Sequence, residues 1–540
     1  MKFGKKAKRR LLITLVILVP LTTFLLWPLG DPKYDIVYDE DKVKYRQDYL
    51  AEKVSIPDSV ERPNIIVILA DDLSKMDVSL YGGKHVKTKH MDAIGQNGVT
   101  FQEAYITSPV CAPSRAGMLT GRYQQRFGFE INTHERYPKN RLEYYVYKWF
   151  IAKGDWKVAE IAVPTFDAMH KQGLPPTEIL LPEVLRKHGY ATAMIGKWHL
   201  GYSDMALPLS RGFDFHYGFY QAFSLYGLED DPNIVNQKLT DFSDSYIWGK
   251  ARTGNCAIRR NTDVIEEKGY LTTRIAEESM QWMEEHKDEP FFMYVPFSAP
   301  HTPFQATKEY YDMYKDVKDP KKRIYYAMIH ALDDAVGMIM NKLKELELEE
   351  NTIVFFLSDN GGATYTLAAD NSPLKGGKMS NFEGGINVPF MIQWKGKIPA
   401  GMQYQAPVSS LDIFATSVAL GQCNNSDHKL DGVNILPYLL DSTYQNKQPH
   451  EMLYWRAANH KAIRKGSWKM IKDTKSNQTV LYNVQKDKYE KNDVLAEEPE
   501  VLKALETNLE QWESQMIDSK WPKVMDMEIR DGEMVYYFPL

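Results

Sequence analysis

Acidic side chains follow two apolar segments of the sequence. Asp71 and Asp72 come directly after one run, and Asp359 and Asn360 follow another that ends at Leu357. Three carboxylates and an amide form an all-oxygen ligand set, which suits Ca²⁺ or Mg²⁺, whereas zinc prefers His or Cys. Each pair also has a structural interpretation, because Asp-Asp can cap a helix and Asp-Asn-Gly-Gly forms a turn. The two pairs together favour a site for a hard divalent cation.

Two lysines and two histidines hold similar positions in the sequence. Lys197 and His199 follow an apolar run in the segment GKWHLG, and His301 follows another in SAPHTPF. Lys378 lies among glycines, and a glycine backbone lets an anion approach closely. A cation beside a metal-bound anion would stabilise charge on its oxygens. The structural alternative is that these residues are solvated lysines and packed histidines.

The segment CAPSRAGMLTGR, residues 111–122, contains a cysteine beside a predicted helix start. Pro113 favours the first turn of a helix, which would place Cys111 just before the N-terminus. The helix dipole there favours an anionic nucleophile, and Arg115 would point back to the same place one turn on. The residues alone leave two interpretations open: a nucleophilic cysteine, or a buried structural cysteine.

Apolar segments that alternate with helical patterns would position these residues. Continuous apolar runs are typical of buried strands and occur at residues 64–70, 191–195, 291–295, 352–357 and 388–394. Helical patterns lie between them at residues 182–188, 276–286 and 321 to about 346. This order predicts an α/β fold with a large mixed, mostly parallel sheet flanked by helices, in which ligands bind beyond the carboxyl ends of the strands.

We divide the chain into four parts. Residues 1–30 combine six basic side chains with an uncharged run at residues 11–29, which is close to the thickness of a bilayer. With no A-x-A cleavage site, this head favours an uncleaved membrane anchor over a cleaved signal sequence, and in both cases an exported body. Residues 31–62 are a polar neck, residues 63–444 the large α/β domain, and residues 445–540 a C-terminal subdomain with a small antiparallel sheet plus helix.

Charge and cysteine content exclude several classes of protein. The formal charge is −5, and without the six basic residues of the first ten positions the remainder carries −11. Such an acidic body argues against nucleic acid as a partner. Three cysteines with no CxxC pair exclude a disulfide scaffold and give no sign of a zinc site, although Cys256 and Cys423 remain a possible pair.

The segment at residues 111–122 matches every fixed position of C-x-P-S-R-x-x-x-L-T-G-R, the signature of formylglycine-dependent sulfatases in the alkaline phosphatase superfamily. The other motifs follow in the order that this family uses: ILADD, GKWHLG, APHTP, SDNGG, and GGK before EGG. The chain therefore resembles a sulfatase from about Asn64 to its end. The resemblance implies an alkaline-phosphatase-like fold and hydrolysis of sulfuric esters.

The resemblance also implies a modified residue and a metal. Cys111 would be oxidised to formylglycine by a separate maturation enzyme, and the hydrated aldehyde would supply the nucleophilic oxygen. One Ca²⁺ would be bound by the modified Cys111 with Asp71, Asp72, Asp359 and Asn360.

The remaining motif residues would receive roles in the reaction. Arg115 would hold the formylglycine, and Lys197 and Lys378 would bind sulfate oxygens. His301, together with Lys378, would assist the leaving oxygen. His199 would take a proton so that the aldehyde re-forms and sulfate leaves.

Three features depart from the family pattern. The usual D-D-x-G is replaced by a segment that contains Ser74 and Lys75, and Asn387 stands where Arg is common in E-G-G-x-R. We expect a lost supporting contact at Asn387 and retained activity. The third is a long segment at residues 129–170, rich in Tyr and Trp, which is expected either to wall a substrate cleft or to form a surface insertion.

These features favour a sulfatase that acts on small or oligomeric sulfated substrates. Carbohydrate sulfates are favoured over simple aryl sulfates as the substrate class. One alternative is a phosphonate or phosphodiester hydrolase of the same superfamily, because phosphate and sulfate esters share tetrahedral geometry. Another is a catalytically silent, membrane-tethered binding protein on the same fold.

Overall fold

The computed structural model describes residues 5–54, 62–152, 154–158, 163–239, 242–423, 429–444 and 447–540. Lys2 and the predicted domain boundary at residue 445 lie outside these residues. The strands of the described part are, in chain order, β1 Asn64–Asp71, β2 Val99–Phe101, β3 Ala104–Tyr105, β4 Trp156–Val158, β5 Ala191–Lys197, β6 Phe215–Phe219, β7 Ile234–Gln237, β8 Arg259–Arg260, β9 Asp263–Val264, β10 Phe291–Pro300, β11 Phe304–Thr307, β12 Thr352–Ser358, β13 Phe390–Gln393, β14 Met402–Tyr404, β15 Val408–Ser409, β16 Met452–Ala457, β17 His460–Lys465, β18 Trp468–Asp473, β19 Gln478–Asn483, β20 Met525–Asp531 and β21 Met534–Pro539.

The α-helices of the same residues are, in chain order, α1 Lys5–Leu26, α2 Glu40–Ala51, α3 Lys89–Gln96, α4 Cys111–Thr120, α5 Arg141–Val146, α6 Phe166–His170, α7 Leu181–Lys187, α8 Phe242–Lys250, α9 Leu271–Glu285, α10 Lys308–Met313, α11 Pro320–Glu345, α12 Glu383–Ile386, α13 Asp412–Leu420, α14 Leu436–Leu440 and α15 Pro499–Glu513.

The main sheet of the described chain has ten strands in the order β14-β2-β13-β12-β1-β10-β5-β6-β8-β9. The central strands β12, β1, β10, β5 and β6 are parallel, and β13 runs antiparallel to β12. Val67 of β1 pairs with Tyr294 on one side and Phe355 on the other. This arrangement confirms the predicted mixed, mostly parallel sheet.

Helices cover both faces of this sheet, which explains why its central strands are apolar throughout. All eight residues of β1 are buried, and alternate side chains point to opposite faces. Ile66 and Ile68 join a core with residues of α9 and α11, whereas Ile65 and Val67 join a second core with residues of α4, α7 and α13. The two cores fix the register of β1 and therefore the position of the residues that follow it.

The C-terminal region contains the predicted small antiparallel sheet, formed by β16–β19, and the helix α15. It also contains a hairpin, β20–β21, that the sequence does not predict. Strand β20 pairs with β4, which belongs to the Tyr- and Trp-rich segment at residues 129–170. The end of the chain therefore forms one sheet with that segment.

The described N-terminal region contains two α-helices, α1 and α2. No helix among the described residues is long and apolar enough to span a bilayer, so the predicted membrane anchor finds no support here. The segment predicted as a neck contains α2, which packs on α7 of the α/β domain. Its Tyr49 is buried, and the guanidinium of Arg46 donates to the buried carboxylate of Glu183.

Candidate active site

The carboxyl ends of four neighbouring strands bring the predicted residues together. Asp71 ends β1 and Lys197 ends β5, while His301 follows β10 and Asp359 follows β12. These strands are adjacent in the order β12-β1-β10-β5. Their parallel direction places the residues at one edge of the sheet, where ligands of open α/β sheets bind.

Two of the site residues occupy left-handed backbone conformations. Asp72 has φ 63° and His199 has φ 58°. Such values are uncommon outside glycine, although Asp and His tolerate them better than most residues. The Asp72 N–H donates to Asp359 Oδ1 at 3.3 Å, and the Leu73 N–H donates to Ser358 Oγ at 3.0 Å. These bonds hold the turn so that both acidic side chains face the same site.

Arg115 links three of the strand ends. Its Nε donates to Asp359 Oδ2 at 2.8 Å, and its Nη1 donates to the backbone carbonyl of Lys197 at 2.8 Å. Its Nη2 lies 3.4 Å from Asp71 Oδ2. The guanidinium is fully buried, and a buried charge is tolerated only when it is paired in this way.

Each of the two predicted site lysines pairs with one acidic residue. The Lys197 ammonium contacts the Asp71 carboxylate, and Lys378 Nζ lies 2.8 Å from Asp72 Oδ1. Burial alone would raise the pKa of Asp72, but the ammonium of Lys378 outweighs it and holds the pKa below its ordinary value. For Asp71, the charges of Lys197 and Arg115 likewise outweigh burial and lower the pKa. Both carboxylates are therefore charged at neutral pH.

Cys111 lies against the acidic pair. It is the first residue of α4 instead of the residue before it, and its Sγ lies 3.3 Å from Asp71 Oδ1 and 3.8 Å from Asp72 Oδ1. Burial and the carboxylates of Asp359 and Asp71 raise the pKa of the thiol well above its ordinary value. The dipole argument for an anionic cysteine is therefore wrong: the unmodified side chain is a protonated thiol.

The two histidines are buried and neutral. Burial and nearby cations lower the pKa of His199 well below its ordinary value, and burial and Lys378 lower that of His301. His301 Nδ1 lies 2.5 Å from the carbonyl oxygen of Thr302, so this nitrogen carries the hydrogen, and Nε2 faces Asp72 Oδ2 at 3.8 Å. His199 Nδ1 has no hydrogen-bond partner among the described residues. Each ring thus offers one nitrogen for proton exchange.

The acidic cluster fits a hard divalent cation. Asp71, Asp72, Cys111 and His301 each offer a donor atom, and these atoms lie within 4.8 Å of one another. Asn360 Nδ2 donates to Asp72 Oδ1 at 2.7 Å, while its buried Oδ1 has no hydrogen-bond partner in the described chain. A buried amide oxygen without a partner is costly unless something binds it. A cation coordinated by oxygen would satisfy it.

A cavity of about 270 Å³ opens above this site. Its walls include His199, His301 and Lys378, and the segment at residues 129–170 contributes a large share of the remainder. The other lining residues include Asn132, Trp156, Gln221 and Tyr246. The Tyr- and Trp-rich segment therefore walls the cleft, as one of the two interpretations predicts.

The two departures from the family pattern contact each other. Lys75 Nζ donates to Asn387 Oδ1 at 2.7 Å and to the carbonyl of Gln102 at 2.6 Å, and Asn387 Nδ2 donates to Glu383 Oε2 at 2.8 Å. The contact expected to be lost at Asn387 is therefore replaced by a different one. Sequence reasoning noted both departures but missed their link, because nothing in the sequence indicates that residues 312 positions apart are in contact.

All three cysteines are unpaired, so the possible Cys256–Cys423 disulfide is absent. Cys256 is buried beside Phe223 and Ile247, whereas Cys423 packs in the core that contains α7.

Comparison with known proteins gives consistent matches. The sequence model of the family described as Sulfatase matches residues 63–422, and that described as N-sulphoglucosamine sulphohydrolase, C-terminal, matches residues 377–515. N-acetylgalactosamine-6-sulfatase of Homo sapiens is 30% identical over 421 residues, which cover 75% of this chain and 71% of that protein. The crystal structure of Ps i-CgsB is 30% identical with a TM-score of 0.71, covering 85% of this chain and 94% of that chain. Its complex with k-i-k-neocarrahexaose gives 29%, a TM-score of 0.70 and the same coverage.

Proposed function

The chain belongs to the sulfatase family and is an enzyme that hydrolyses sulfuric esters, and on that premise we propose that it acts on sulfated carbohydrates through a formylglycine at position 111 and a bound Ca²⁺. The observation that carries this proposal is the position of Cys111. Its Sγ lies beside Asp71 and Asp72, and three buried cations surround the same acidic cluster.

Relatives and the walls of the cleft support a carbohydrate substrate. N-acetylgalactosamine-6-sulfatase is named for a sugar sulfate, and Ps i-CgsB was solved with a neocarrahexaose. In this chain, Trp156 and Tyr246 line the cavity together with the amides of Asn132 and Gln221. Aromatic faces beside hydrogen-bonding side chains suit a ring that has both apolar faces and hydroxyl groups.

The charges of the site explain why a cation is part of the proposal. With the thiol and both histidines neutral, the carboxylates of Asp71, Asp72 and Asp359 balance the charges of Arg115, Lys197 and Lys378. A site of zero formal charge has little attraction for an anionic ester. A divalent cation held by Asp71, Asp72, Asp359, Asn360 and the modified residue 111 would make the site positive.

When present, the formylglycine hydrate would supply a nucleophilic oxygen and Ca²⁺ would polarise the sulfate. Cationic side chains of the chain itself would supply the remaining electrostatic stabilisation. Lys197 and Lys378 bind sulfate oxygens and stabilise the charge that develops on them. Arg115 fixes residue 111 by holding Asp359 and the backbone of Lys197 in place.

The two histidines would move protons at opposite sides of the sulfate. In the neutral ring His301 Nε2 carries no hydrogen, so it would first take up a proton from solvent and then deliver that proton to the bridging oxygen of the leaving sugar, with Lys378 beside it. His199 Nδ1, which has no partner in the described chain, would accept the proton that is released as sulfate departs.

We also propose a maturation enzyme as a partner and an exported location for the folded body. Formylglycine at position 111 needs a separate maturation enzyme that oxidises the cysteine. The basic and apolar head of the sequence supports an exported body, whose substrates would be extracellular or periplasmic carbohydrates.

Peptide mass spectrometry across residue 111, on protein from its native host, tests the modification. We expect a residue lighter than cysteine by the exchange of sulfur and two hydrogens for one oxygen. The matched variant Cys111→Ala should fold normally and have no sulfatase activity. An unmodified thiol in active native protein would contradict the proposal.

The competing phosphodiesterase function is tested by substrate choice. Rates on a sugar sulfate, an aryl sulfate and an aryl phosphodiester should be compared on one enzyme preparation. We expect the highest kcat/KM on a sugar sulfate. A faster phosphodiester would overturn the assignment of sulfate esters as the substrates.

A further inference from the structure

The C-terminal subdomain contacts the segment that positions Lys378 through two buried charged residues. Lys469 is fully buried, and its Nζ donates to Glu383 Oε1 at 2.7 Å and lies 2.8 Å from Glu490 Oε1. Glu490, also fully buried, accepts a hydrogen bond from the backbone N–H of Glu383 at 2.7 Å. Glu383 is the first residue of α12, so both contacts hold the beginning of that short helix.

Glu490 is held in an unusual conformation to make this contact. Its φ is 54°, a left-handed value that costs free energy for a residue with a side chain. Burial raises the pKa of Glu490 to about 7, whereas Lys469 and Arg464 outweigh the effect of burial on Glu383 and lower its pKa to about 2. A strained, buried carboxyl group is retained only where surrounding contacts require it.

Helix α12 in turn contacts two parts of the candidate site: the loop that carries Lys378 and the segment that carries Asn360. The Gly384 N–H donates to the carbonyl of Lys375 at 2.7 Å, which closes the loop that carries Lys378. The Gly361 N–H, next to Asn360, donates to the carbonyl of Gly385 at 3.0 Å. A Cβ on Gly385 would lie 2.0 Å from the Ser380 carbonyl oxygen, so this packing leaves no room for adjustment.

We propose that Lys469 and Glu490 are positioning residues for catalysis: they clamp the start of α12 and thereby hold Lys378 against Asp72. This inference rests on the proposed function of Lys378. The C-terminal subdomain thereby supports the reaction indirectly, because the clamp comes from β18 and the segment after β19. Neither residue touches the substrate cavity, so each acts through α12.

The test is a double-mutant cycle with kcat/KM on an activated aryl sulfate, a substrate that keeps the residual activity of weak variants measurable. Glu490→Leu removes the acceptor for the Glu383 N–H, and we expect kcat/KM to fall at least about tenfold, the effect of about 1.4 kcal/mol. Glu490→Gln keeps a carbonyl acceptor and should lose about two- to fivefold. In the Lys378→Ala background, neither substitution should lower kcat/KM further, because the group they position is gone.

A matched control comes from the same subdomain. Lys472 and Glu506 form a partly exposed pair at 2.8 Å, and Glu506→Gln should leave kcat/KM and the melting temperature unchanged. Sulfate inhibition provides a second readout: both Glu490→Leu and Lys378→Ala should weaken inhibition by inorganic sulfate.

Three outcomes would overturn the clamp. The first is a folded Glu490→Leu variant with wild-type kcat/KM. The second is a loss of kcat/KM from the Glu490 substitutions that is as large in the Lys378→Ala background as in the wild type. If Glu490→Leu does not fold, Glu490→Gln decides, and wild-type kinetics in that variant would count against the clamp. By contrast, a Lys378→Ala variant with wild-type activity would refute the proposed function of Lys378 itself.

Discussion

Lys75 is a buried charged residue that lies outside the proposed reacting groups. Its ammonium lies between the carbonyl of Gln102 and the side chain of Asn387, with 7% of the residue exposed. Burial lowers the pKa of Lys75 to about 7. Two neutral acceptors do not fully replace the water that a charged ammonium loses.

This lowered pKa predicts how stability depends on pH. Between about pH 7 and 10.5 the unfolded chain holds a proton on Lys75 that the folded chain releases, so the free energy of unfolding rises with pH in that range. Lys75→Met abolishes this contribution. Between pH 7 and pH 10, we expect the free energy of unfolding of the wild type to rise by at least about 1 kcal/mol relative to that of Lys75→Met. Urea denaturation at both pH values measures it.

The control for this prediction is Lys503→Met, which removes an exposed lysine of α15. The free energy of unfolding of Lys503→Met should equal that of the wild type at both pH values. A stability difference for Lys75→Met that does not change with pH would show that Lys75 stays charged in the folded protein.

His301 allows a prediction about activity at the same scale. If its Nε2 supplies the proton to the leaving oxygen, the need for it depends on how basic that oxygen is. His301→Gln should lower kcat/KM for a sugar sulfate by about 10²–10⁴-fold. For a nitrophenyl sulfate, whose leaving group needs no proton, the loss should be under about tenfold. Equal losses on both substrates would exclude a role as general acid.

The strands and the residues at their ends were predictable from sequence because two simple rules act on them. Continuous apolar runs form central parallel strands, and the carboxyl ends of such strands share one edge. Asp71, Lys197, His301 and Asp359 therefore converge as expected. The motif residues on loops, such as Lys378, were placed only through the family resemblance.

Other elements were not predictable, for reasons that are physical. The pairing of β4 with β20 joins residues more than 360 positions apart, and short strands carry no information about their partners. The left-handed turns at Asp72 and His199 occur at residues other than glycine, so the sequence does not indicate their positive φ. Helix α2 has few apolar residues, so its packing depends on the single buried Tyr49 and on the Arg46–Glu183 pair.

Strand β21 packs against residues that are next in sequence to Cys111 and Lys378. Phe538 is fully buried in a cluster with Val110 and Met379, which precede Cys111 and follow Lys378 respectively. Phe538→Ala would leave a cavity at this point, and we expect it to lower the free energy of unfolding by about 3–5 kcal/mol and to reduce kcat. Chemical denaturation and steady-state kinetics measure the two effects.

A surface phenylalanine provides the comparison for Phe538. Phe166 is 71% exposed, so Phe166→Ala should change stability by less than about 0.5 kcal/mol. If Phe538→Ala is equally harmless, the end of the chain is not part of the support for the site.

The whole molecule is acidic, so the proposed cation would be important for the capture of an anionic substrate. The formal charge of −5 and the balanced charges of the site give an anionic substrate no electrostatic advantage. Adding Ca²⁺ to chelator-treated protein should raise the melting temperature, by an amount equivalent to about 2.7 kcal/mol at a hundredfold excess over Kd. It should also strengthen inhibition by sulfate.

Asn360→Ala is the matched variant for the cation, because it removes the unpartnered Oδ1. It should bind Ca²⁺ more weakly and show a smaller rise in melting temperature. If millimolar Ca²⁺ leaves the melting temperature of the wild-type protein unchanged, the proposed metal site is wrong.

The α/β domain and the C-terminal subdomain share their cores, so we expect them to unfold together. One cluster contains Phe382 and Ile386 with Trp455 and Tyr482, and the indole N–H of Trp455 donates to the Ile106 carbonyl at 2.7 Å. Separating the two parts would expose this apolar surface and leave the buried Lys469–Glu383 pair without compensation. Multi-domain chains often unfold in several steps. A core that two parts share couples their unfolding. Calorimetry should therefore show a single transition with equal calorimetric and van't Hoff enthalpies, whereas two resolved transitions would mean that the C-terminal subdomain folds by itself.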